Sequence, residues 1–229
     1  MRLDRFLCEA AMLTRSNAKK LLHRGLVEVD GIVIKKGDLH ITNQKVTLEG
    51  QTLSLRPPVY VMLNKPTGYI SSTQSEDWPS LLTLLPQAYQ QGVHIAGRLD
   101  VDTTGLVLIT DDGQWSHRLS SPRKEQGKTY RVTLAEPVMD TAIEQFAQGV
   151  MLNGETKPTK PATLELLTPT DVRLTLHEGR YHQVKRMFAS IGNRVTALHR
   201  EKIGSITLDA HLEPGQWRAL TSDEINSLD

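Results

Sequence analysis

The sequence predicts an α+β chain in two parts, a small N-terminal domain over residues 1–56 and a larger one over residues 57–229. The larger part is expected to be built on a mainly antiparallel mixed sheet with flanking helices. Three observations carry that reading. Helical spacing followed by a hairpin signal fills the first quarter of the chain. The pair Pro57-Pro58 then interrupts it, because a proline pair favours an extended, helix-free connection. Beyond the prolines, strand-like runs with short hairpin-like connections are interrupted irregularly by helices, which argues against regular βαβ winding.

In the first part, Leu3, Phe6 and Leu7 recur at helical spacing in a run that ends by Leu13. A second helix starts near Ser16, buries Ala18, Leu21 and Leu22, and stops at Gly25, a residue suited to the left-handed cap. Its other face is charged: Arg15 and Lys19 are four apart, as are Lys20 and Arg24, so their side chains lie over successive turns. On pattern alone such a run reads as a solvated face. Val27-Glu28-Val29, the turn pair Asp30-Gly31 and Ile32-Val33-Ile34 form a strong hairpin signal.

In the second part, residues 59–63, 106–110, 129–134, 162–166, 172–176 and 195–198 read as strands. Asp140 is expected to cap a helix carrying Ala142, Ile143, Phe146 and Ala147, and another helix to run over 182–191 before Gly192. Thr221 with Glu224 makes a capping box near the C-terminus. The chain carries no internal repeat and no low-complexity tract.

Composition narrows the function classes. With 38% hydrophobic and 23% charged residues the chain matches an ordinary soluble globular protein, and no apolar run approaches a membrane span. Met1-Arg2-Leu3-Asp4-Arg5 mixes charges at once, unlike a signal peptide, so a cytoplasmic protein without membrane association is expected. Cys8 is the single cysteine, which rules out an intramolecular disulfide and fits a reducing compartment. The net charge of +1 is uninformative until it is divided. Residues 1–56 hold 10 Lys+Arg against 6 Asp+Glu, a net of +4, and the remainder holds 17 against 20, a net of −3. A basic module joined to an acidic one suits a tether for polyanions beside a separate working domain.

No GxxxxGK[ST] loop, GxGxxG turn, HExxH pair or GxSxG elbow is present, so the usual signs of nucleotide, zinc and serine chemistry are missing. His177 and His182 lack a third ligand at metal-site spacing, so no metal is expected. The densest polar stretch is Ala96-Gly97-Arg98-Leu99-Asp100-Val101-Asp102-Thr103-Thr104-Gly105. An extended backbone there would put Arg98, Asp100 and Asp102 on one face. Two such carboxylates can serve as general acid and base in glycoside chemistry, but Asp-Thr-Thr-Gly is equally an ordinary turn with Asp102 bonded to nearby backbone. Asp111-Asp112-Gly113 reads as a second turn after a strand. Two further clusters are Lys128-Thr129-Tyr130, after the polar loop 120–127, and the stretch from Glu178 to Met187.

The order of elements in the first part, with Arg2-Leu3-Asp4, Thr14-Arg15-Ser16 and Val27-Glu28-Val29-Asp30-Gly31, resembles the S4 RNA-binding domain. That resemblance implies that Arg2, Arg5, Arg15, Lys19, Lys20 and Arg24 contact RNA phosphates, which position the RNA without reading its sequence. In the second part, four blocks stand in order. They are Leu63-Asn64-Lys65-Pro66-x-Gly68, Gly97-Arg98-Leu99-Asp100-x-x-Thr103-x-Gly105-Leu106, Lys128-Thr129-Tyr130 and Gly179-Arg180-Tyr181-His182-Gln183-Val184-Lys185-Arg186-Met187. Together, over residues 60–205, they resemble the bacterial pseudouridine synthases of the RsuA family.

The resemblance implies that Asp100 is the nucleophile, able to form and release a covalent adduct without a cofactor. It implies that Lys185, where many relatives carry Arg, pairs with Asp100, and that Arg98 holds the backbone of the flipped nucleotide. Lysine supplies a point charge in place of a planar fork, so a bidentate pair is not available at this position. Tyr130 then packs against the extruded base, because a stacked base exposes no access to its glycosidic carbon. Lys65 and Pro66 shape the wall of the site, and His182 and Gln183 are structural. The implied substrate is uridine 516 of 16S rRNA, in a small-subunit assembly intermediate carrying bound proteins, acted on by a monomer. The same reaction on a 23S rRNA uridine, and a non-catalytic ribosome-binding protein, are the alternatives.

Overall fold

In a computed structural model that describes residues 1–72, 77–90, 92–120 and 126–227, the chain folds as two units, Met1–Pro58 and Val59–Asp229. The first unit pairs two helices, α1 (Leu3–Ala10) and α2 (Arg15–His23), with four strands, β1 (Val27–Val29), β2 (Ile32–Val33), β3 (Val46–Leu48) and β4 (Gln51–Leu53). The strands lie antiparallel in the order β2-β1-β3-β4. Leu3 and Leu7 of α1 meet Ala18 and Leu22 of α2 over Val27, Val29, Ile41 and Val46. Thr14 caps α2 by accepting the Asn17 amide at 3.2 Å. Asp30 and Gly31 both have positive φ, 50° and 80°, the twist that a two-residue hairpin turn requires. Glu49 and Gly50 repeat that device at 52° and 80° between β3 and β4, a hairpin the sequence does not announce because a glutamate seldom leads such a turn.

The second unit contains β5 (Tyr60–Lys65), β6 (His94–Ala96), β7 (Thr104–Thr110), α3 (Gly113–Ser120), β8 (Lys128–Leu134), α4 (Thr141–Gln148), β9 (Thr163–Leu166) and β10 (Asp171–Leu176). It continues with α5 (Gln183–Ser190), β11 (Val195–Ile203), β12 (Ile206–Thr207), β13 (Trp217–Ala219) and α6 (Ser222–Asn226). Among the described residues, nine strands form one mixed sheet whose main path runs β13-β5-β7-β11-β8-β10-β9. The pair β7 and β11 is parallel and the other pairings are antiparallel. Strands β5 and β7 are buried on both faces, which explains their nearly continuous apolar runs. Val61, Leu63, Val107 and Ile109 face one core with Phe146 of α4 and Phe188 of α5, while Met62, Leu106 and Leu108 face another with Trp115 of α3.

Several local expectations are corrected. Asp140 makes no side-chain cap, because its own backbone is already helical (φ −56°, ψ −29°). Asp111-Asp112-Gly113 is more than a turn: Asp112 caps α3 by accepting the amides of Gln114 and Trp115 at 2.9 and 3.1 Å. Asp111 accepts the Val59 amide at 2.7 Å, tying the start of the unit to the end of β7. The helix escapes a periodicity reading because it buries so narrow a stripe, Trp115 and Leu119. Strand β11 runs five residues past the expected 198, since the charged residues that interrupt its apolar pattern include Arg200, which is buried. The capping box of Thr221 and Glu224 is present. Within the expected polar loop 120–127, residues 121–125 lie outside the described residues.

The parallel pairing places Gly105 directly against Arg200, where a Cβ would meet the Arg200 carbonyl oxygen at 2.4 Å, and Gly105 has φ +101°. Gly105→Ala is therefore expected to cost more than about 2 kcal/mol in urea unfolding, from overpacking and backbone strain together. Gly154→Ala, at φ +79° with nothing within 4 Å of its Cβ, is the control and should cost about 1 kcal/mol. Equal costs would show that the close approach is relieved elsewhere.

Candidate active site

The segment between β6 and β7 is irregular backbone, yet Leu99 and Thr103 within it are buried, so its polar groups need partners. Buried side chains from other strands supply them. Lys65, at the end of β5 and fully buried, donates to the carbonyls of Pro66, Val101 and Thr103 at 3.0, 3.3 and 2.7 Å. Arg200, 1% exposed on β11, donates to the carbonyls of Gly97, Arg98 and Leu106 at 2.7, 3.3 and 2.8 Å. Ser71 accepts the Leu99 amide at 2.9 Å and donates to the Leu99 carbonyl at 3.0 Å. Asp100 sits between these anchors, its carbonyl accepting the Thr103 amide at 3.1 Å.

The Asp100 carboxylate points into a cavity of about 700 Å³ and meets two bases at the start of α5. Its Oδ1 lies 3.5 Å from His182 Nε2, and its Oδ2 lies 3.5 Å from Lys185 Nζ. His182 precedes the helix in a left-handed conformation and Lys185 lies in its first turn, and both reach the Asp100 carboxylate. Lys185 is nearer to Asp102, however, at 2.7 and 2.9 Å from its two oxygens. Asp102 is thus more than a turn residue: its hydrogen bond from Lys185 holds its carboxyl below the usual range. A lysine makes this sharing possible, since a single ammonium on a flexible stem can face two carboxylates at once.

Tyr130 on β8 is 8% exposed and lines the same cavity, with Leu176, Val184 and Leu198. Its ring centroid is 6.0 Å from the Arg200 guanidinium, an edge-of-range cation–π contact. Lys128 shares that face of the strand two residues earlier, and burial lowers its ammonium pKa. Arg98 is exposed at the cavity wall. Asp100, Arg98, Tyr130 and Lys185 are therefore brought together around one cavity. Gln183 has the structural place expected of it, accepting the Arg180 amide at 2.8 Å and donating to Glu178 at 2.8 Å.

Sequence reasoning missed Arg200 and the proximity of His182 to Asp100. Nothing local marks the first, and the second depends on His182 taking a left-handed conformation just before the helix, which its sequence does not announce. In the first unit, Arg15, Lys19, Lys20 and Arg24 are exposed on and just after α2. Arg2 and Arg5 already pair with Asp4 and Glu9 at 2.8 and 2.7 Å. Among the described residues, no group of three or more His, Cys, Asp or Glu could hold a metal, and no helix is long and apolar enough to cross a membrane.

Residues 59–190 match the family model described as RNA pseudouridylate synthase. Proteins named ribosomal small subunit pseudouridine synthase A from Vibrio cholerae and Escherichia coli K12 are each 52% identical to this chain. They cover 100% of it, over 99% and 100% of their own lengths. A crystal structure of a pseudouridylate synthase is 48% identical, with a TM-score of 0.74 and complete coverage of both chains.

Burial pushes the Lys65 ammonium down to about 8, with Asp102 and Asp100 opposing the shift and Arg200 adding to it. Between about 8 and the ordinary lysine value of 10.5 the unfolded chain then binds more protons than the folded one, so stability rises with pH across that window. Urea unfolding of the RNA-free protein, compared with Lys65→Met, should show a relative gain on the order of 3 kcal/mol between those limits. A flat difference would mean the ammonium keeps its ordinary pKa.

Proposed function

The chain belongs to the RNA pseudouridylate synthase family, and on that premise we propose that it converts uridine 516 of 16S rRNA to pseudouridine with Asp100 as the nucleophile. The observation that carries the residue assignment is the placement of Asp100. It is a carboxylate on a hydrogen-bonded loop at the wall of a cavity, beside His182 and Lys185, in a cavity that a buried tyrosine also lines. The choice of small-subunit RNA is supported by the names and full-length identity of the relatives.

The isomerisation breaks the N1–C1′ bond, turns the uracil and forms a C5–C1′ bond. C5 releases its hydrogen as a proton, and N1 gains one. Nothing is oxidised or reduced, so the reaction calls for no cofactor. A uridine inside RNA structure must leave its stack to expose these atoms, and the Tyr130 ring offers the apolar face that receives it. Asp100 reaches the nucleotide from the cavity wall, and any bond its carboxylate forms is broken again before the product leaves, so that the residue is regenerated. Lys185 and His182 keep its carboxylate oriented and stabilise negative charge there, while Arg98 meets the nucleotide's phosphate.

The first unit serves as an S4-like RNA tether over residues 1–56. Arg15, Lys19, Lys20 and Arg24 carry most of that contact, since Arg2 and Arg5 must first exchange their carboxylate partners for phosphates. We assign the enzyme to the cytoplasm as a monomer acting on a small-subunit assembly intermediate.

Release of tritium from C5-labelled 16S rRNA reads the reaction directly. Asp100→Asn should lower it by more than about 10³-fold, while Asp102→Asn, which leaves Lys185 to Asp100 alone, should stay within about tenfold of wild type. Comparable losses in both variants would point to a carboxylate pair instead. Mapping pseudouridine in a deletion strain should show loss at position 516 of 16S rRNA; loss at a 23S position alone would overturn the substrate assignment.

Charge reversal of Lys19, Lys20 and Arg24 to Glu should weaken RNA binding and reduce the slope of log K against log salt by about 2. An unchanged slope would leave those residues merely solvated.

A further inference from the structure

Tyr181 is 77% exposed although it lines the cavity of Asp100, which places it at the rim. One face of its ring stacks on the His182 imidazole, with centroids 3.9 Å apart and planes 17° from parallel. The turn that carries the ring is heavily braced. Arg180 bonds Glu155, and bonds Glu178 at 3.2 Å, while Gln183 ties the Arg180 amide back to the helix at 2.8 Å. Arg186 donates to the Tyr181 carbonyl at 3.1 Å while also holding Glu155 and the Asn153 carbonyl, each at 2.7 Å. His182 itself is held in the left-handed region at φ 48°, ψ 36°, a conformation that costs a residue with a side chain about 1 kcal/mol or more.

Such bracing around an aromatic ring that stays in solvent gains the folded chain little burial, and it makes sense if the ring is presented to a ligand. Resting on the family reading given above, we infer that Tyr181 is a stacking platform for a nucleobase next to the extruded uridine. Extrusion breaks the stacking of the neighbouring bases and leaves a π-face that needs a partner. The deep aromatic, Tyr130, is 8% exposed and suits the uridine itself, so the rim aromatic is left for its neighbour. Charge at the rim is compatible with a polyanion: Glu155 and Glu178 are each ion-paired to arginine, and Arg98 and Lys185 line the same cavity. Stacking on an exposed ring tolerates any base, so the platform adds affinity and orientation without dictating sequence.

The test uses the full-length enzyme and two 16S rRNA substrates carrying 2-aminopurine on the 5′ or the 3′ side of the target uridine. Wild type, Tyr181→Phe and Tyr181→Trp should quench the fluorophore in one of the two RNAs on binding, and Tyr181→Ala and Tyr181→Leu should not. The aliphatic variants should raise KM about tenfold or more, with a much smaller change in kcat, and the aromatic ones should stay within about threefold of wild type. Equal quenching in wild type and Tyr181→Ala, or no quenching at either position, overturns the platform. So does a loss confined to kcat, which would mean that the ring serves only to position His182. Tritium release by wild type from the same RNAs separates the two levels: release without an effect of Tyr181 defeats the platform alone, and no release defeats the proposed reaction on which it rests.

Discussion

Two buried cations, Lys65 and Arg200, bind backbone carbonyls on either side of Asp100, and the geometry of the site depends on that arrangement. Removing a charge from water is costly unless hydrogen bonds replace the lost hydration. Here three carbonyls meet each cation, and the same bonds satisfy loop backbone that would otherwise be buried without partners. Cation and loop therefore solve each other's desolvation problem. Asp100 is left with its side chain one-third exposed and with little backbone freedom. The entropy of ordering this carboxylate is thus lost on folding and not on meeting a ligand.

The sheet explains why the clamps converge. Lys65 closes β5, Gly105 is the second residue of β7, Arg200 lies on β11 and Tyr130 on β8, and these strands are consecutive in the sheet. The register sets Lys65 opposite Gly105, Gly105 beside Arg200, and Arg200 opposite Tyr130. One row across four strands thus carries both clamps and the aromatic wall. Gly105 permits the parallel pair to close at the position where a side chain would collide with Arg200. Helix α5 then brings His182 and Lys185 across the Asp100 loop. Its first turn is braced by Arg180, Gln183 and Arg186, so the bases and the exposed Tyr181 belong to one rigid piece.

Lys185 gives the electrostatics a particular form. It hydrogen-bonds Asp102 and lies 3.5 Å from Asp100, while His182 stands at the other oxygen of Asp100. The ammonium is thus engaged by the more exposed carboxylate without binding Asp100 tightly. A carboxylate gripped by two short ion pairs would have to break them to meet anything else; one flanked at longer range keeps its orientation and remains available.

The residues that touch the cavity lie in compact blocks, Asp100 with Arg98, Tyr130 with Lys128 and Lys185 in the helix start, but local spacing alone did not rank them: Asp100 reads as one of several turn aspartates, Tyr130 as core and Lys185 as solvated. It was the order of the blocks and the family resemblance that singled them out. The two-part organisation was visible at Pro57-Pro58 and in the change of charge across it. Other features required the tertiary structure. Arg200 reads as an interruption of an apolar strand, and only the pairing of β11 with β7 reveals that it is buried on carbonyls 94 to 103 residues away. Lys65, expected from the resemblance to shape the wall of the site, is instead buried beneath the loop on three backbone carbonyls, and neither it nor Pro66 lines the cavity. Sharing of Lys185 between two carboxylates, and the exposure of Tyr181 over His182, depend on ångström-scale placement of separate segments. Local periodicity encodes which face a residue takes, but partners distant in the chain are chosen by sheet register and helix docking, which no window of sequence contains.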